Sequence, residues 1–135
     1  AGWTATRTRY AEQIWAACEA SPALHVPEVP ANVQHAHYKC YAYVRPEQLA
    51  AGWNRDRIVA AINALGVPCY QGSCSEVYME KAFDGTGWRP AAPLPTAHAL
   101  GTTSVMFLVH PTLTQAEVDT TCTAIAQVMQ QATAA

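Results

Sequence analysis

Over residues 4–20 apolar side chains recur at three- and four-residue intervals, Tyr10, Ala11, Ile14, Trp15 and Cys18, which predicts one face of an α-helix that Ser21-Pro22 ends. Pro22, Pro27 and Pro30, interleaved with Val26, Val29 and Val33, then read as an extended connector across a surface. The period drops to two over residues 36–44. Ala36, Tyr38, Cys40, Ala42 and Val44 fall on one strand face, and His37, Lys39, Tyr41 and Tyr43 on the other. Asn54 can cap a second helix with an apolar stripe of Ile58, Val59, Ile62 and Leu65, and Gly66 stands where it should stop.

Residues 67–71 predict a short strand, with Pro68 favouring a sheet edge or a strand start. Residues 72–95 are irregular, with a helical turn expected over 76–83 and a run of Gly and Pro after it. Loops of that length in compact domains are usually functional or mobile. A short helix over 97–100 closes at Gly101. The continuous apolar run Val105-Met106-Phe107-Leu108-Val109 has the length of a central strand, stopped by His110-Pro111. Thr114-Gln115-Ala116-Glu117 is a capping box flanked by Leu113 and Val118, and Val118, Cys122, Ile125 and Met129 give the last helix one apolar face. The sum is a small α+β domain: a three-stranded, mainly antiparallel sheet with helices on one face.

Composition changes this picture in one respect. The 135 residues suffice for one domain, and half of them are apolar, but 26 are Ala, while Leu, Ile, Val and Phe together number 24. That predicts a thin core leaning on something else. The net charge of −2 and the 13% of charged residues, without a run of one sign, argue against nucleic acid and anionic membranes as partners. No apolar stretch approaches the roughly 20 residues of a membrane span. The start, Ala1-Gly2-Trp3-Thr4, lacks a signal-peptide pattern and an initiator Met, as a cut would leave it. Five cysteines at uneven spacing predict reduced structural thiols in a cytoplasmic setting rather than a disulfide or zinc framework.

Little in the sequence names a reaction. His35 and His37 could share a metal only with a third ligand from elsewhere, and polar residues at a strand start is the preferred reading. Gly72-Ser73-Cys74-Ser75-Glu76 gathers hydroxyls, a thiol and a carboxylate. It lacks the second glycine of a nucleophile elbow, so a small hydrolase using Ser73 or Cys74 has weak support, and a capped turn and a ligand contact stand level. Lys39 and Lys81, the only lysines, read as solvated charges, and no Gly-rich loop is built to cradle a phosphate.

The order of segments does resemble a known family. Arg7, Tyr10-Ala11 and Trp15, the Pro-rich connector, the strand from His35 through Val44, the helix opening Arg55-Asp56-Arg57-Ile58, Gly66-Val67-Pro68, and Val109-His110-Pro111-Thr112-Leu113-Thr114-Gln115-Ala116-Glu117-Val118 together resemble the C-terminal domain of the DegT/DnrJ/StrS family. These are PLP-dependent sugar aminotransferases of fold type I. The stretch from Gly72 to Phe83 is similar to one branch of the family rather than to the branch with a His-containing loop there. The resemblance implies that residues 1–135 form a single small domain, and that a larger N-terminal domain, absent here, holds the PLP lysine. This piece is then expected to be catalytically silent, with no catalytic, cofactor-binding or metal residues of its own. In the intact enzyme it would close over a nucleotide-linked sugar and support a dimer. It further implies contacts to that substrate from Ser73, Ser75 and Glu76 first, then Tyr38 and His110, and a contact face of His37, Tyr41 and Tyr43, with Trp15 or Trp53, toward the rest of the enzyme. The alternative is a free-standing α+β module whose aromatic strand face binds a protein or small ligand.

Overall fold

The computed structural model describes residues 2–134. Helix α1 (Gly2–Glu19) leads into strand β1 (Leu24–His25), and β2 (Cys40–Val44) follows the connector. Next come α2 (Arg55–Ala64), β3 (Cys69–Tyr70), α3 (Pro95–Thr103), β4 (Ser104–Phe107) and α4 (Gln115–Ala132), with short 3₁₀ turns at Pro46–Gln48, Val77–Met79 and Lys81–Phe83. The sheet is wholly antiparallel in the order β1-β2-β4-β3. It has four strands and not three. The additional one, β1, is two residues long and pairs Leu24 with Val44 and His25 with Tyr43, too short a run to show a period. β4 is central and β3 an edge, as Pro68 requires.

Alternation along β2 sends Cys40, Ala42 and Val44 into the core. There they join Val105 and Phe107 of β4, Cys69 of β3, Tyr10, Ile14 and Cys18 of α1, Ile58 and Ile62 of α2, and Val118, Ile125 and Met129 of α4. Three helices thus cover one sheet face. The opposite face carries His25, Tyr43 and Tyr41 as a stacked row, with ring centroids 5.4 Å and 6.5 Å apart, and stays half exposed.

Two helix starts form as their caps dictate. Asn54 Oδ1 accepts the Arg57 N–H at 2.8 Å, and Thr114 and Glu117 exchange both bonds of the capping box. Leu65 is 41% exposed, because α2 ends at Ala64 and the stripe ends with it. α3 does not close at Gly101 but continues to Thr103.

The strand alternation expected from residue 36 holds only from Cys40. His37 adopts φ +46°, which breaks the extended backbone and reverses the faces: His37 is 5% exposed and Tyr38 77%. His37 packs edge-on against Trp15 at 5.1 Å, away from the aromatic row, and burial together with the adjacent His35 lowers its pKa. Trp15 donates its indole N–H to the Tyr41 carbonyl at 2.9 Å, tying α1 to β2.

All five cysteines are free. Burial pushes the Cys40 and Cys69 thiols up to about 12 and raises Cys18 as well, so these act as small apolar core residues. Among the described residues no helix is long and apolar enough to cross a membrane, and no group of three or more His, Cys, Asp or Glu could hold a metal ion.

Candidate functional site

Where β3 runs out, the chain turns over the Tyr41 ring. A Cβ at residue 72 would lie 2.6 Å from Tyr41 Cε1, and φ there is +98°, so this turn requires glycine. The close approach brings Ser73 onto β2. The Ser73 N–H donates to the Tyr41 hydroxyl at 3.1 Å, that hydroxyl donates to Ser73 Oγ at 3.2 Å, and Lys39 Nζ donates to the same Oγ at 2.9 Å. Lys39, just before β2, and Tyr41 on it both reach the loop at Ser73. Ser104 Oγ donates to the Gln71 carbonyl at 2.6 Å and fixes the loop's start to β4.

The far side of the loop rests on α3. Glu76 Oε1 accepts from the Tyr78 hydroxyl at 2.7 Å, and Oε2 meets His98 Nδ1 at 3.0 Å. Those hydrogen bonds, Tyr78's first and His98's second, hold the Glu76 carboxyl below its ordinary pKa. The Tyr78 hydroxyl in turn accepts the Leu94 N–H, which ties in the start of α3. Ser75 lies directly on Gly101, where a side chain would overlap its hydroxyl. Arg55, largely buried, donates to the carbonyls of Gly101 and Ser104 at 2.9 Å each and so locks α2 to the end of α3. Arg89 donates to the Tyr78 and Met79 carbonyls at 2.8 Å and 3.0 Å, bracing the 3₁₀ turn.

The result is an open cleft of about 470 Å³ whose lining includes Gly72, Ser73, Ser75, Glu76, Glu80 and Gly101. Three of the five expected contacts, Ser73, Ser75 and Glu76, thus line one surface. Tyr38 lies beside it, its ring 6.0 Å from Lys39 Nζ, without lining it. His110 is elsewhere. It bonds Thr112 Oγ1 at 2.7 Å and lies near the start of α4, where hydrogen bonds from Thr114 hold the Glu117 carboxyl below its ordinary pKa. Three further residues complete the arrangement: Lys39, Tyr41 and His98. The polar face expected over residues 36–44 flagged the first two, although Lys39 reads there as a solvated charge and is in fact bonded to Ser73. His98 had no local signal.

For nucleophilic chemistry the cleft is poorly equipped among the described residues. Ser73 Oγ has Lys39 and Tyr41 as partners, and the Cys74 thiol donates to Glu80 at 3.3 Å, which raises its pKa. Among the described residues neither group bonds an imidazole. What the cleft offers is recognition: hydroxyls and carboxylates on a braced loop, with the Lys39 ammonium bonded to Ser73 from outside the loop.

The chain aligns with an aminotransferase from Psychrobacter cryohalolentis at 52% identity and a TM-score of 0.89, over 95% of this chain and 34% of that one. A DegT DnrJ EryC1 StrS aminotransferase from Brucella abortus aligns at 22% identity and a TM-score of 0.73, over 93% and 31%. The chain matches a fragment of this aminotransferase family. A protein of Streptococcus pneumoniae described as a sugar aminotransferase and solved in its PMP form has the same fold, at 15% identity and a TM-score of 0.74, over 96% and 31%. The chain spans about a third of the length of each. It matches no family model and no curated protein sequence.

Proposed function

We infer that this chain is the smaller, C-terminal domain of a PLP-dependent aminotransferase that moves an amino group onto a nucleotide-linked keto sugar in the cytoplasm. The observation that carries the reading is the alignment at 52% identity over 95% of the chain with one third of an aminotransferase. The rest of such an enzyme would supply the PLP lysine. The residues here do not fit a cofactor site of their own: Lys39 is engaged with Ser73, Lys81 is exposed on a 3₁₀ turn, and no Gly-rich loop opens a helix toward a phosphate. No chemical step is therefore placed on them, and the isolated chain is inactive.

Its work is to close the substrate side. Ser73 and Ser75 hydroxyls and the Glu76 carboxylate hydrogen-bond the sugar's hydroxyls, a pairing that rejects analogues lacking them. The half-exposed row of His25, Tyr43 and Tyr41 faces the enzyme's own N-terminal domain, and a second subunit completes a dimer. His25 Nδ1, buried without a partner among the described residues, supports that assignment. So does the alanine-rich core, since each Å² covered at such a contact contributes roughly 25 cal/mol.

The test is the full-length enzyme with Ser73→Ala and Glu76→Gln. Each substitution is expected to lower kcat/KM for a nucleotide-linked keto sugar at least tenfold. Unchanged affinity and turnover in both would remove the cleft from the substrate path.

A further inference from the structure

We propose that Tyr41 is a positioning residue that sets the orientation of Ser73 from behind the cleft without touching what binds there. This rests on the function inferred above and deepens it. Tyr41 stands outside the cleft lining, and it reaches Ser73 at two atoms. Its oxygen accepts the Ser73 N–H at 3.1 Å, which fixes the backbone, and its proton goes to Ser73 Oγ at 3.2 Å, which fixes the side chain. With both held, the rotamer of Ser73 is set. A serine oxygen has two lone pairs and one proton. Tyr41 takes one lone pair and Lys39 Nζ, at 2.9 Å, takes the other, so the Ser73 proton is what remains to be offered.

Tyr41 is itself held from three sides. Its carbonyl accepts the Trp15 indole N–H at 2.9 Å, which pins the strand to α1. Its ring lies nearly parallel to that of Tyr43, at 14° and 6.5 Å, as the end of the aromatic row. On the loop side Gly72 sits so close that a Cβ would stand 2.6 Å from Tyr41 Cε1. The missing side chain lets the backbone descend onto the ring, and the next residue then meets the hydroxyl. The loop therefore takes its register from a side chain on the sheet.

The experiment uses the full-length enzyme as wild type, Tyr41→Phe, Ser73→Ala and the double variant, reading kcat and KM for a nucleotide-linked keto sugar. Tyr41→Phe keeps the ring under Gly72 and removes both bonds. It is expected to raise KM about tenfold with kcat within about twofold, the pattern of lost binding without lost chemistry. Thr114→Ala, which weakens the fold at the α4 cap, should leave KM unchanged, so lost stability alone does not give that pattern. Because Tyr41 acts through Ser73, the double variant should match Ser73→Ala within about twofold. Gly72→Ala, which lifts the loop off the ring, reads the same contact if Tyr41→Phe fails to fold. An unchanged KM in Tyr41→Phe, or losses that multiply in the double variant, overturns the proposal and leaves the aminotransferase reading intact. Ser73→Ala with wild-type kinetics overturns the substrate role of Ser73 and this proposal with it.

Discussion

Gly101→Ala probes the seat of the cleft loop on α3, and its sign depends on one neighbour. Alanine in a helix is worth about 0.5–1 kcal/mol over glycine, so the substitution alone would stabilise α3. Here the new methyl would overlap Ser75 Oγ, with Ser75 Cβ also close at 3.1 Å. Forced overlap of this kind costs about 1–3 kcal/mol. The variant should therefore lose roughly 1 kcal/mol or more in urea unfolding, with the slope unchanged. Ser75→Ala removes the oxygen and leaves only the 3.1 Å contact, which a shift of a few tenths of an ångström relieves. In that background Gly101→Ala should be neutral or stabilising by up to about 1 kcal/mol. The double-mutant cycle then gives a coupling of about 1–3 kcal/mol. Equal stabilisation by Gly101→Ala in both backgrounds would refute the packing of residue 75 on α3.

Three more expectations follow from the same contacts. Trp15→Phe removes the donor to the Tyr41 carbonyl and should cost about 1–3 kcal/mol in urea unfolding, since a half-buried acceptor in mid-strand loses its partner. Alkylation of the native chain at pH 8 should label Cys74 and spare Cys18, Cys40 and Cys69, and Glu80→Gln should speed labelling of Cys74 by removing the bond that raises its pKa. Thr114→Ala should cost about 1 kcal/mol through the lost cap. Because the Glu117 pKa is lowered in the fold, the box's contribution is present above pH 4.5 and fades as pH falls through the lowered value. Thr114→Ala should flatten that part of a stability–pH profile.

Local physics made most of the frame legible before any coordinates. Asn54 and Thr114 announce helix starts by satisfying amides within three residues, and Cys40, Ala42 and Val44 announce a strand because the pleat repeats every two. What escaped was decided at long range. β1 is a strand only because Val44 and Tyr43 lie beside it. His37 turns inward on a positive φ because Trp15 of α1 gives its ring a surface. α3 runs through Gly101 because Ser75 needs the space and Arg55 holds the Gly101 carbonyl. The cleft divides the same way. Ser73, Ser75 and Glu76 are neighbours in sequence and stay so in space. Lys39, Tyr41 and His98 reach them across 34, 32 and 22 positions, which no local pattern encodes.

The most direct test of the whole account sets the full-length gene product beside the 135-residue chain, each supplied with pyridoxal phosphate, an amino acid donor and a nucleotide-linked keto sugar. Amino sugar should form with the full-length protein and not with the short chain, and only the former should retain the cofactor through gel filtration. Turnover by the short chain, or stoichiometric retention of pyridoxal phosphate by it, would contradict the division of labour argued here.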